Sequence, residues 1–224
     1  MRRKTAAAEP SEKQAGRVRS NFKTVFRGRV FSVARHEVIE PGGIPVVRDV
    51  IHHSGSAVIL PTLEDGRVVL VRQFRLAAGR SLWELPAGTR DRGETALATA
   101  RRELSEETGY RASSWRKLLE FFPSPGILDE RMTLFWAQKV RPGAASPEGD
   151  ERIRVGSFSR AQWQSMIQSG QIRDGKTLVG LLYWRWIESQ GSTRAALRQL
   201  RAAHSALLRA VSESRTVSEV ERRA

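Results

Sequence analysis

The sequence predicts an α+β fold or an α/β sandwich. Three observations carry that expectation. Short runs rich in β-branched and aromatic residues recur along the chain. Helical patterns interrupt them in mixed order, neither segregated to one end nor strictly alternating. The chain of 224 residues, 40% hydrophobic, is long enough for one sizeable core plus tails and short for two full domains.

The elements follow in chain order. Residues 1–20, rich in Ala, Lys, Arg, Glu and Gln, read as a disordered basic tail. Residues 23–39 carry rough apolar alternation and read as one or two strands. Pro41-Gly42-Gly43 marks a turn and Ile44–His52 a returning strand. Ala57–Thr62 and Arg67–Arg72 form a hairpin around Glu64-Asp65-Gly66. Ser81–Leu85 is a short strand closed by Pro86-Ala87-Gly88, and a helix follows at about 94–108. Strands are expected at Trp115–Phe122, Met132–Val140 and Arg152–Phe158, with a Pro/Gly/acidic loop at Arg141–Asp150. Ser159 and Gln162 make a capping box for a helix to about Gln168. Lys176–Ser189 reads as another helix, and 193–212 as a basic amphipathic one. The organisation is a tail (1–20), N-terminal strands (21–54), a central domain (55–190) and a basic helical tail (191–224).

Charge and composition exclude several classes. Cysteine is absent, which removes disulfides and cysteine zinc sites and fits a reducing, cytoplasmic setting. No run of 18 apolar residues predicts a membrane span, and the basic N-terminus lacks the apolar core of a secretory signal. The net charge of +14 is uneven. Residues 1–30 hold nine Lys/Arg against two Glu, and 190–224 seven Arg against three Glu. The middle is close to balanced, so no dedicated nucleic-acid partner is expected; basic tails attract phosphates of any kind without sequence specificity.

The chemistry concentrates in 88–110. At about 100° per residue, Glu103 and Glu107 stand one turn apart, beside an apolar stripe of Leu97, Ala100 and Leu104. Two like charges at the rim of a core repel unless a cation lies between them, and hard oxygen ligands suit Mg²⁺ or Mn²⁺. Arg102 lies on another face and reaches Glu106 at i+4, with Glu94 a further partner. Gly88 opens a loop tight enough for the Ala87 carbonyl to face the metal, and Gly109 ends the helix. An acidic helix face in solvent is the plain alternative.

The spacing of Gly88, Glu94, Arg102-Glu103-Leu104-Ser105-Glu106-Glu107 and Gly109-Tyr110 resembles the Nudix box at its defining positions. The resemblance implies the Nudix α/β/α sandwich with a mixed β-sheet. It also implies hydrolysis of nucleoside diphosphates linked to another group. In that frame Glu103 and Glu107 are the main metal ligands, with the Ala87 carbonyl, and Glu106 assists. Gly88, Glu94, Arg102 and Gly109 brace the loop and helix.

The flanks resemble the ADP-ribose pyrophosphatase branch. They are Val71-Arg72-Gln73-Phe74-Arg75, Trp83-Glu84-Leu85-Pro86-Ala87-Gly88, Phe122-Pro123-Ser124-Pro125-Gly126 with Asp129-Glu130, and Arg173-Asp174-Gly175-Lys176-Thr177. Pro125, 15 residues beyond Tyr110, falls at a position that marks ADP-ribose specificity in the family. The resemblance implies that Arg75 meets a phosphate and that Arg48 reaches the adenosine end across a homodimer interface. It places Ser124, Pro125, Gly126 and Glu130 at the terminal ribose. The branch takes its catalytic base from an acidic loop, here Pro147-Glu148-Gly149-Asp150-Glu151. Glu151 is expected to ligate metal. Gly149 stands where some relatives have the base glutamate, leaving Glu148 first and Asp150 second. Phe26 and Phe31 are candidates to stack on the base of the substrate. The expected substrate is ADP-ribose; another nucleotide sugar, such as GDP-mannose or a UDP-sugar, and an RNA-associated module using the tails are the alternatives.

Overall fold

The computed structural model describes residues 20–40, 42–143 and 153–191. The expected N-terminal tail up to residue 19, the 193–212 helix, and Glu148, Asp150 and Glu151 lie outside those residues. The chain divides into two compact units, Met1–Thr177 and Leu178–Ala224.

The first unit opens on a three-stranded antiparallel sheet, β1 (Ser20–Arg27), β2 (Phe31–Glu40) and β3 (Ile44–His53), in that spatial order. The stretch read as one or two strands is therefore two. They part at Gly28, whose N–H donates to the Phe31 carbonyl at 2.9 Å.

The main sheet has seven strands. β4 (Ser56–Thr62) and β5 (Val68–Arg75) lie at its centre, with β6 (Arg80–Glu84) on β5 and β7 (Ala87–Thr89) on β4. After helix α1 (Ala96–Thr108), the two-residue strand β8 (Tyr110–Arg111) leads into β9 (Ser114–Phe121) and β10 (Met132–Gln138). β11 (Arg141–Pro142) pairs with β8, and β12 (Arg154–Phe158) with β5. The order is β12-β5-β4-β10-β9, and the sheet is mixed because β10 runs parallel to β4 while the other pairs are antiparallel. β4 is buried along its whole length, which its unbroken Ala-Val-Ile-Leu run allows: a strand covered on both faces has no need of alternation.

α1 supplies one cover. Ala100 and Leu104 are fully buried against Ala57, Ile59, Val69, Phe135 and Ala137, with Leu97 and Tyr110 at the margin. This fixes the helix's rotation about its axis, so the neighbouring Glu103 and Glu107 fall at the edge of the core, beside β7. α2 (Arg160–Gln168) has the expected capping box. The Gln162 N–H donates to Ser159 Oγ at 3.4 Å, and the Ser159 N–H donates to the Gln162 side chain at 2.8 Å. It buries Trp163 and Met166. A third helix, α3, covers 175–191; its first turn lies in the first unit and the rest in the second. Among the described residues no helix is long and apolar enough to cross a membrane.

Candidate active site

α1 starts at Ala96 rather than Glu94, because Thr95 caps it: its Oγ1 accepts the Ala98 N–H at 3.2 Å. Glu94 folds back instead. Its carboxylate accepts from the Thr99 hydroxyl at 2.8 Å, from the Asp91 N–H at 3.3 Å and from Arg102. At the far end Gly109 takes a φ of 69° and returns its N–H to the Ser105 carbonyl, as a helix-ending glycine does.

The centre of the site is the approach of Glu103 to Gly88. The Glu103 carboxylate lies against the Gly88 backbone so closely that a Cβ there would overlap it. Glycine at 88 is thus a demand for space. Pairing of β7 with β4, with Gly88 opposite Ala57, holds that backbone in place. Next to it, the Ala87 N–H donates to Glu107 Oε2 at 3.1 Å.

Arg102 knits the acids together. One guanidinium nitrogen donates to Glu103 at 2.7 Å and to Glu106 at 2.9 Å; another donates to the Thr89 carbonyl at 3.2 Å and to Glu94 at 3.3 Å. Burial works against its charge, but Glu94, Glu103 and Glu106 together hold its pKa well above the ordinary arginine value. Glu103 is pushed the other way by its surroundings. Burial raises its pKa, Arg102 pulls it down, and the charges of Glu106 and Glu94 add to the rise. Among the described residues no three His, Cys, Asp or Glu side chains are gathered as a metal cluster. Arg102 engages Glu103 and Glu106, while Glu107 is turned to the backbone. The donor set still suits a hard divalent cation: a half-buried carboxylate whose pKa burial raises, carboxylates one turn along, and a carbonyl next to a glycine that has no side chain of its own.

A second group adjoins this one, and its buried member was given no role from the sequence. Glu84, at the end of β6, is 1% exposed. Arg75 reaches back along the β5–β6 hairpin and forks onto it, Nε to Oε1 at 2.9 Å and Nη2 to Oε2 at 2.8 Å. Lys176 donates to the same Oε2. Burial would raise the Glu84 pKa, but the Arg75 and Lys176 contacts outweigh it and hold the carboxyl below its ordinary value. Arg75 is raised by its hydrogen bonds to Glu84, against its own burial, with smaller contributions from the charges of Glu84, Glu107 and Asp174. Arg75 is the last residue of β5, which runs three residues further than expected. The members of this network lie in three of the flanking motifs quoted above, but nothing local in those motifs brings them together.

The 122–131 loop docks on β3. Ile51 donates to the Ile127 carbonyl at 2.8 Å and accepts from the Asp129 N–H at 3.0 Å. Ser124, Pro125 and Gly126 are exposed in its turn. Glu130 is buried, accepting from the Ser56 hydroxyl, with His53 Nδ1 at 3.5 Å. Asp129 takes the His53 N–H at 2.8 Å and a contact from His52, whose other ring nitrogen lies 2.9 Å from that of His36. None of these histidines stood out in the sequence. Arg48 makes its contacts within the N-terminal sheet, donating to Glu40 at 3.0 Å. Phe26 and Phe31 pack on one another there, their ring centroids 5.9 Å apart.

The mixed sheet and the carboxylate helix seated on Gly88 are the arrangement that the resemblance of 88–110 implied. The NUDIX domain family model matches residues 52–177, and the chain belongs to that family: it is a Nudix hydrolase. It is 32% identical over 161 residues to an ADP-ribose pyrophosphatase of Bacillus subtilis (strain 168), covering 71% of this chain and 87% of the relative. It is 38% identical over 152 residues to a GDP-mannose pyrophosphatase of Citrobacter koseri, covering 60% of this chain and 79% of the relative. A solved structure described as an ADP compounds hydrolase superposes with a TM-score of 0.67 over 78% of this chain and 96% of that one, at 22% identity, which speaks to the fold.

Proposed function

We propose that the protein hydrolyses the diphosphate bond of ADP-ribose to AMP and ribose 5-phosphate with the help of Mg²⁺. The observation that carries the reading is the Glu103 carboxylate seated against the bare backbone of Gly88, with Glu107 one turn along at Ala87. Glu103, Glu107 and the Ala87 carbonyl would hold the cation, together with Glu151, which lies outside the described residues. When bound, the cation withdraws charge from the phosphoryl oxygens and lowers the pKa of a water.

The chain's own groups supply the rest. Arg75, fixed by Glu84, offers its remaining N–H groups to a phosphate oxygen. Glu130 accepts ribose hydroxyls, with Ser124, Pro125 and Gly126 shaping that end. Glu148, or failing it Asp150, takes the proton as water oxygen bonds to phosphorus and the bridging P–O bond breaks. Arg102 and Glu94 keep Glu103 and Glu106 in register. In a homodimer, Arg48 of one copy would face the adenosine end of the other's site.

The ADP-ribose choice is supported by the proline at 125 and by the B. subtilis relative; the C. koseri relative favours GDP-mannose as the second reading. A product assay over ADP-ribose, GDP-mannose and a UDP-sugar decides between them, with the highest kcat/KM expected for ADP-ribose. Glu107→Gln should lower kcat by roughly 100-fold or more while circular dichroism stays unchanged, as loss of a group acting on the transition state does. Near-normal turnover of Glu107→Gln would sink the assignment.

A further inference from the structure

We infer that Lys176 is a positioning residue for the substrate phosphate, acting through Glu84 to aim Arg75. This rests on the proposed role of Arg75.

The geometry is a chain of side-chain contacts that runs from the start of α3 to Arg75. Asp174 stands at the N-terminus of α3, where its Oδ2 accepts the Thr177 N–H at 3.0 Å and the Thr177 hydroxyl at 2.6 Å. Thr177 Oγ1 in turn accepts the Leu85 N–H at 2.8 Å. The start of the helix is thereby clamped to the strand end that runs through Pro86 to Ala87 and Gly88. Lys176 sits inside this clamp, 10% exposed, on Asp174 at 3.1 Å and on Glu84. Glu84 passes the constraint to Arg75 by a two-point fork that uses Nε and Nη2. Arg75 remains 40% exposed, and its other nitrogen makes no protein hydrogen bond among the described residues. A fork fixes the plane of a guanidinium as well as its position, so its open edge has one direction.

The arrangement separates orientation from contact. A carboxylate with one cationic partner can rotate about its last bond. Glu84 is gripped on Oε1 by Arg75 and on Oε2 by both Arg75 and Lys176. Removing Lys176 leaves the Arg75–Glu84 fork in place but frees it to swing. Small misplacements of a group that meets the transition state cost rate steeply. Lys176 is 10% exposed and held by two carboxylates, so it is not placed to meet a phosphate itself.

The test is a double-mutant cycle on the full chain with ADP-ribose and Mg²⁺. Lys176→Met should lower kcat/KM roughly 10- to 100-fold. Lys176→Arg, which keeps a donor on Glu84, should recover most of the loss. In an Arg75→Ala background Lys176→Met should cost nothing further, because the group it aims is gone. Glu84→Gln gives a second arm, again with no added loss in the Arg75→Ala background, and it serves alone if Lys176→Met does not fold. Full additivity of both arms with Arg75→Ala, or unchanged constants for Lys176→Met, overturns the relay. Unchanged constants for Arg75→Ala itself would instead overturn the phosphate role of Arg75 on which the relay depends.

Discussion

A single methyl group at position 88 is enough to displace the Glu103 carboxylate. Gly88→Ala should therefore weaken Mg²⁺ binding and lower kcat by roughly 100-fold with little change in fold, since the strand pairing of β7 does not involve that side chain. Titration calorimetry of Mg²⁺ checks it; wild-type affinity in Gly88→Ala would show that the close approach is incidental. Glu103 sets a pH dependence. Burial and two neighbouring carboxylates, against the pull of Arg102, raise its folded pKa above the ordinary value of 4.5. A cation needs the ionised form. Mg²⁺ affinity should thus fall with acidification through that raised range, above the pH where an ordinary glutamate titrates. Stability of the cation-free protein moves oppositely: it rises as pH falls through the folded value, because the folded state then binds the extra proton. Kd values across a pH series test this, and a flat profile would count against it. Residue by residue, the Glu103/Glu107 pairing was legible from one-turn spacing. The reason for Gly88 was not, because the carboxylate that excludes a side chain comes from 15 residues away in sequence.

Among the elements, α1 shows how local rules place functional groups. Its buried stripe of Ala100 and Leu104 sets the rotation of the helix, and Thr95 and Gly109 set its ends. Thr95→Ala should destabilise the protein by about 1 kcal/mol, the usual worth of such a cap, measurable by denaturant unfolding. A loss near zero would mean that the Glu94 contacts alone hold the turn. Most strands were legible too, from β-branched runs and turn residues. β7, β8 and β11 were missed: two or three residues have no periodicity, and only pairing to a neighbour makes them strands. The Glu94 start was misread for a related reason. Glu94 looks helical by type, yet Thr95 is the better cap and Glu94 finds its partners in Thr99 and Arg102.

For the whole molecule, the N-terminal sheet leaves Phe22, Ile39, Ile44 and Val47 more than half exposed. We propose that a second copy covers them. Light scattering should give twice 25.1 kDa, and an Ile39→Asp, Val47→Asp double variant should run as a monomer. A monomeric wild type would remove the proposed route of Arg48 into a neighbouring site. The sequence by itself determined the class of fold, the carboxylate helix and the glycine that ends it, because these follow from periodicity and spacing within a few turns of chain. It also gave the family, since the box that carries the chemistry is contiguous. Tertiary structure decided what those residues meet. It brought Lys176 and Arg75 onto one buried carboxylate, set His52 and His53 on the 122–131 loop, and put Glu103 against Gly88. Such contacts join different elements, some of them as far apart in sequence as Glu84 and Lys176. They exist only once the sheet order has been chosen, and no local pattern records that order.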